Sequence, residues 1–168
     1  ARNPAALRRV FAVKGRPATK PLLVLIPDRD AVSDLVVDVP PVAERLMARF
    51  WPGRITLVMK AAAGVAPELT GGAGKIGVRL PGHPAAAALL RTFGRPITGT
   101  SANLSGRPGC RRIQDLSVSF LQSVDLVLDA GALAGGVGST IVDVTVTPPA
   151  VLREGRVPAG QVQAALEA

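Results

Sequence analysis

The sequence predicts an α/β domain built on a mixed sheet, and three observations predict it. Helical and strand-like apolar periodicities are interleaved along the chain. Many of the connections between them are too short to be full crossovers, so antiparallel pairs must accompany the parallel ones. No repeat of roughly 20–50 residues is visible, which excludes a solenoid or propeller. With 168 residues, 48% hydrophobic and 19% charged, the chain can bury roughly 70% of its unfolded surface around one core. Glycine and proline are spread along it instead of gathering at a boundary, so the expectation is a single domain.

The elements follow in order. Asn3 is placed to cap a helix and Pro4 to open it, and Leu7, Val10 and Phe11 share one face, giving a helix over 3–13. KGRPATKP then reads as an irregular loop, and LLVLI at 22–26 as a strand of the buried type. In PPVAERLMARFWPG, Val42, Leu46, Met47 and Phe50 form one stripe that stops at Pro52-Gly53, an amphipathic helix. ITLVMK at 55–60 alternates as a strand with Ile55, Leu57 and Met59 on one face. KIGVRLP at 75–81 alternates too: Ile76, Val78 and Leu80 face one way, Lys75, Gly77 and Arg79 the other. An Ala- and Leu-rich helix over 84–93 and a short strand from Ile97 come next. DLVLD at 125–129, STIVDVTV at 139–146 and AVLR at 150–153 are three further expected strands, before a last helix over about 159–167.

Composition narrows the partners. Twenty Lys and Arg against twelve Asp and Glu give a net charge of +8 and a pI near 11.2. That balance suits an anionic partner, or simply a well-solvated surface. With no Tyr, one Trp and four Phe, the chain has few rings on which bases could stack, so phosphate is favoured over stacked bases. The single Cys110 forms no internal disulfide and no Cys/His cluster has zinc spacing, so no metal ligand is assigned and a reducing, cytoplasmic setting is expected. No apolar run approaches the roughly 20 residues of a membrane span, and no secretory signal opens the chain.

Three stretches bring cations to loops or strand edges beside Gly or Pro: Lys14, Arg16 and Lys20 in KGRPATKP, Lys75 and Arg79 in KIGVRLP, and Arg153 in VLREG. Arg offers a planar fork to carboxylate or phosphate, Lys a point charge. PITGTSANLSG at 96–106 collects hydroxyls, an amide and two glycines. It reads either as a turn after a strand or as an anion-binding loop whose backbone N–H groups can crowd a ligand. If the cations converge on Ser101 to Asn103 they make a pocket for a polyphosphate and a small carboxylate; if not, they are scattered surface charge. GALAGGVGST lacks the lysine of a phosphate loop and leads into a strand, so it is not assigned as one. His83 in LPGHP is read as the cap of the following helix and not as a metal ligand. No side chain is assigned as a catalytic acid or base, and a Ser-His-Asp triad is not legible.

Taken together, KGRPATKPL, FWPGRITLV, GVRLPGHP, ITGTSANLSG, GSTIVD and LREG, in that order and spacing, resemble the YrdC-like family of threonylcarbamoyl-AMP synthases. The resemblance covers residues 1 to about 157. It implies a YrdC-like twisted mixed sheet with flanking helices around a basic cavity, and a nucleotidyltransferase reaction in which L-threonine, bicarbonate and ATP give threonylcarbamoyl-AMP and pyrophosphate. ATP is then a substrate that carries Mg²⁺ with it, and the product feeds a downstream transfer machinery that modifies tRNA, with a direct tRNA or RNA contact as a further expectation.

Carried over, Lys14, Arg16 and Lys20 match the loop at the ATP phosphates, Ser101 and Asn103 the SAN segment at the nucleotide, and Arg153 the arginine on ATP; Lys75 joins the ATP-binding set. Arg79 and Ser139 match positions bordering the threonine and nucleotide pockets. Relatives begin with a strand and a PTETxYGL-like segment upstream of the helix at 3–13, which this sequence does not show; the expectation is one YrdC-like domain over 1–168 without that part of the threonine pocket. Some relatives also carry a histidine where this chain has Leu25, so not every threonine contact carries over. Two rival readings are a carbamoyl-adenylate-forming relative that uses carbamoyl phosphate, and a non-catalytic RNA-binding or ribosome-assembly factor.

Overall fold

The computed structural model describes residue 1 and residues 3–167. Six strands, β1 (Leu23–Leu25), β2 (Ile55–Lys60), β3 (Lys75–Arg79), β4 (Ile97–Gly99), β5 (Thr140–Asp143) and β6 (Ala150–Arg153), form one sheet in the order β4-β1-β3-β2-β5-β6. The β1/β3 and β2/β5 pairs are parallel; β1/β4, β2/β3 and β5/β6 are antiparallel. The mixed sheet is thus as expected from the short connections. The α-helices among the described residues are α1 (Pro4–Lys14), α2 (Pro41–Phe50), α3 (Pro67–Thr70), α4 (Pro84–Phe93), α5 (Val118–Gln122) and α6 (Ala159–Glu167), with short 3-10 turns at Asp30–Val32 and Ile113–Asp115.

Strand parity divides the sheet into two chemically different faces. Val24 on β1, Ile55, Leu57 and Met59 on β2, Ile76 and Val78 on β3 and Val142 on β5 are all buried. They pack with Leu7 and Phe11 of α1, Ala43, Leu46 and Met47 of α2, Leu69 of α3 and Val162 of α6 in one core. The alternate residues point to the opposite face, where a cavity opens. Burying a Leu or Ile side chain is worth roughly 1.5–3 kcal/mol, and a one-residue slip would put these residues in water and the cavity cations in the core. The core face therefore fixes which side chains the cavity receives.

Local signals place the helix ends. The Asn3 side chain accepts from the Ala5 and Ala6 amides, as its capping position predicts, and α1 ends at Gly15 with φ 57°. Helix α2 ends at Phe50, beside a cis Trp51–Pro52 bond. Three expectations are corrected. DLVLD at 125–129 is not a strand: it runs without ladder partners, with Leu126 75% and Leu128 62% exposed. An alternating pattern becomes a strand only where a neighbouring edge supplies hydrogen bonds, and this segment reaches neither β4 nor β6. LLVLI at 22–26 is half-buried instead of fully buried, because Leu23 and Leu25 face the cavity. His83 stands at the N-cap of α4, but its side chain makes no capping bond. Short helices at 67–70 and 118–122 were not legible in the pattern.

Candidate functional site

A cavity of about 700 Å³ lies on the open face of the sheet. Its floor is set by parity: Leu23 and Leu25 from β1, Thr56 and Val58 from β2, Lys75, Gly77 and Arg79 from β3, Ile141 and Asp143 from β5. Its rim is made by Arg16 after α1, Thr100 and Ser101 after β4, Gly138 and Ser139 before β5, and Leu152 and Arg153 on β6. Six of the nine side chains expected from the sequence, Arg16, Lys75, Arg79, Ser101, Ser139 and Arg153, thus line one space. Lys14, Lys20 and Asn103 do not. Lys20 is exposed. Lys14 is buried and donates to the carbonyls of Ser101 and Asn103, and the Asn103 side chain bonds within its own loop. A groove of about 610 Å³ between α2 and α6 is almost as large, but its Phe50, Ala48, Ala164 and Ala165 lining holds none of the expected residues.

The lining sets four cations against one carboxylate. The three arginines are held by backbone carbonyls and Lys75 by the Asp143 carboxylate. Arg79 donates from Nε to the Gly53 carbonyl at 2.7 Å, which aims its fork from the end of β3; burial, and then the charge of Arg54, disfavour its protonated form. Arg153 donates to the Ser139 carbonyl at 2.8 Å, and the Ser139 hydroxyl lies 2.8 Å from that of Thr56. Arg16 donates to the Pro21 carbonyl at 2.9 Å, while its buried Nε has no protein partner. A cation anchored through one nitrogen keeps its other donors for a ligand, at little further ordering cost. Gly77 keeps the floor open: a Cβ there would stand 3.3 Å from Thr56 Cγ2.

Asp143 is the carboxylate that sequence reasoning did not single out, although the alternation of STIVD puts it on the face of Ser139 and Ile141. It accepts from Lys75 Nζ at 2.9 Å and from the Thr145 amide and hydroxyl at 2.9 and 2.6 Å. Burial acts to raise its pKa, but the bonds from Thr145 and Lys75 outweigh burial and hold it below the usual 3.8. The folded state therefore binds fewer protons than the unfolded one near that value. The resulting stability is present above pH 3.8 and is lost as the pH falls through the depressed folded pKa. Urea melts from about pH 6 to about pH 3 are expected to show a shallower acid loss in Asp143→Asn than in the wild type; identical slopes would mean the carboxylate is not held this way. Thr56, also unforeseen, is on the cavity side of β2 by the same parity.

The family model Sua5_yciO_yrdC, described as "Telomere recombination", matches residues 1–155. The chain belongs to the Sua5/YciO/YrdC family. Among its Sua5/YciO/YrdC relatives, the threonylcarbamoyl-AMP synthase of Pyrococcus abyssi is 37% identical over 158 residues, 94% of this chain and 46% of the relative. That of Bacillus subtilis is 35% identical over 167 residues, 99% of this chain and 48% of the relative. The chain spans about half the length of these curated relatives. The crystal structure of P. abyssi Sua5 complexed with L-threonine superposes with a TM-score of 0.94 at 36% identity, covering 98% of this chain and 48% of that one. E. coli YciO superposes at 0.82 and 28% identity, covering 95% and 77%. The α/β fold expected from the sequence is thus that of the Sua5/YciO/YrdC family.

Proposed function

We propose that this chain forms threonylcarbamoyl-AMP and pyrophosphate from L-threonine, bicarbonate and ATP, within the synthesis of the threonylcarbamoyladenosine of tRNA. The observation that carries the reading is the convergence of Arg16, Lys75, Arg79 and Arg153, from three separate segments, on one cavity with the Ser101 and Ser139 hydroxyls. The similarity to P. abyssi Sua5, whose structure is named as a complex with L-threonine, supports the amino-acid half.

In this reading bicarbonate gives up hydroxide to yield CO₂, and the neutral threonine amine adds to that carbon and loses a proton, leaving a carbamate and water. The carbamate oxygen attacks the α-phosphorus of ATP as the bond to the pyrophosphate oxygen breaks. The chain supplies position and charge. Four fixed cations offset the negative charge of the triphosphate and the carboxylate, and hold nucleophile and phosphorus together in a space partly shielded from water, where such fields act most strongly. Arg79 and Ser139 border the amino acid; Arg16, Lys75, Arg153 and Ser101 face the nucleotide. The cavity offers no cage for a divalent ion, since Asp143 already accepts from Lys75 and Thr145, and no group of acidic, His or Cys side chains among the described residues could hold a metal. Mg²⁺ would ride on the phosphates and its own waters.

No helix among the described residues is long and apolar enough to cross a membrane, and a cytoplasmic site of action fits the chemistry. The test is to incubate the chain with labelled threonine, bicarbonate and ATP. The expected result is pyrophosphate release that needs both threonine and bicarbonate, with a labelled adenylate. Adenylate made from carbamoyl phosphate instead, or a salt-dependent RNA complex without ATP consumption, would replace this reading with one of its rivals.

A further inference from the structure

We infer that Lys14 is a positioning residue: it holds the loop of residues 100–106 in the shape that presents Thr100 and Ser101 to the cavity, and it does not itself touch the ligand. The assignment of the cavity to ATP enters only the affinity half of the test below.

The turn that ends α1 separates two cations that lie two residues apart. Gly15, at φ 57°, donates to the Ala12 carbonyl while Arg16 donates to that of Phe11, the paired bonds that close a helix with a left-handed residue. The chain reverses there, so Arg16 reaches the cavity rim while Lys14 turns inward and is 4% exposed. Sequence spacing groups the two as phosphate contacts; the turn gives them different surroundings.

A lysine ammonium has three N–H donors and no acceptor. Here Nζ meets three oxygens, the Ser101 carbonyl, the Asn103 carbonyl and Asn103 Oδ1, the last at 3.2 Å. Those three acceptors match its donors, and no hydrogen is left over for a phosphate. The backbone of the same residue completes the grip, its carbonyl accepting from the Ser105 amide at 2.8 Å. Within the loop, the Asn103 amide donates to the Ser101 carbonyl at 3.0 Å and Asn103 Nδ2 donates to the carbonyls of Leu104 and Arg107.

The consequence is electrostatic as well as geometric. Drawing two carbonyl oxygens of one short loop onto a buried cation fixes their peptide planes and polarises them. Thr100 and Ser101, at the start of that loop, are its cavity-lining members. Lys14 therefore acts on the site through the shape of its wall. An ammonium this buried is retained only where hydrogen bonds offset its lost hydration, and here loop oxygens make that compensation.

Lys14→Met keeps the length of the stem and removes the donors. In the ligand-free chain, hydrogen exchange at the Asn103, Ser105 and Arg107 amides is expected to accelerate about tenfold. The dissociation constant for ATP is expected to rise about tenfold, while its dependence on salt concentration stays as in the wild type, because no cation–phosphate contact has gone. Lys14→Gln, neutral but still a donor to carbonyls, should recover much of the loop protection and the affinity, and it decides the matter if the Met variant does not fold. Arg16→Met should do the opposite, weakening ATP and its salt dependence with exchange in the loop unchanged. The inference is overturned if either Lys14 variant keeps native exchange in the loop yet binds ATP more weakly with a flatter salt dependence. If the wild type binds no ATP, the nucleotide reading fails, and the exchange rates still decide the role of Lys14.

Discussion

Replacing Arg79 by alanine is expected to lower ATP-dependent incorporation of threonine by roughly 10- to 100-fold while the chain stays folded. The range follows from removing one anchored guanidinium, since a charge-assisted bond to a ligand is worth about 1.5–3 kcal/mol and each 1.4 kcal/mol is about a decade. Three features single out this arginine. It sits at the end of β3 on the cavity face, between the buried Val78 and the half-buried Leu80. Its Nε is committed to the Gly53 carbonyl, so the turn after α2 sets the direction of the fork. Arg54 lies close enough to disfavour its charge, and an arriving anion would relieve that repulsion. Arg79→Lys keeps the charge and loses the fork, so it should recover only part of the activity. Labelled turnover, with a thermal melt of each variant, checks the expectation; unchanged turnover in the alanine variant would remove Arg79 from the site.

Gly155→Ala is expected to destabilise the chain by about 3 kcal/mol, lowering the melting midpoint by roughly 6–12 °C. A Cβ at this position would lie 2.4 Å from the Gly138 carbonyl oxygen, 2.5 Å from the Ser139 carbonyl carbon and 2.6 Å from the Thr140 amide nitrogen. All three are backbone atoms and cannot rotate aside. The approach is close because the segment after β6 is tied to the start of β5: the Thr140 hydroxyl accepts from the Gly155 and Val157 amides and donates to the Val157 carbonyl, and the Arg156 amide donates to Gly138. Pushing these segments apart would also move Arg153 away from the Ser139 carbonyl, so ATP binding should weaken along with stability. A melt within about 2 °C of the wild type, well short of that shift, would show that the backbone yields at little cost.

What was legible in the sequence was local or periodic. Asn3 and Pro4 mark the start of α1 because the cap acts within one turn. The alternation in KIGVRLP separates Ile76 and Val78 from Lys75 and Arg79 because side chains on a strand alternate whatever the rest of the fold does. The same rule, applied to STIVD and ITLVMK, would have put Asp143 and Thr56 beside the cations. The family resemblance added the grouping of Arg16, Ser101, Ser139 and Arg153 that no single motif supplies.

Other outcomes depended on contacts between distant segments. DLVLD has the pattern of a strand, but pattern cannot say whether an edge is free to pair with it, and Leu126 and Leu128 stand exposed. Lys14 and Arg16 look alike in sequence; only the left-handed turn at Gly15 and the oxygens of Ser101 and Asn103, more than eighty residues away, give one to the wall and leave the other to the cavity. By itself the sequence determined which residues are apolar, which alternate and which are charged, because those are properties of the chain. The tertiary structure alone decided which charges share a space and which are consumed in building it, because a hydrogen bond or a Coulomb interaction depends on distance, and distance between remote residues exists only once the chain has folded.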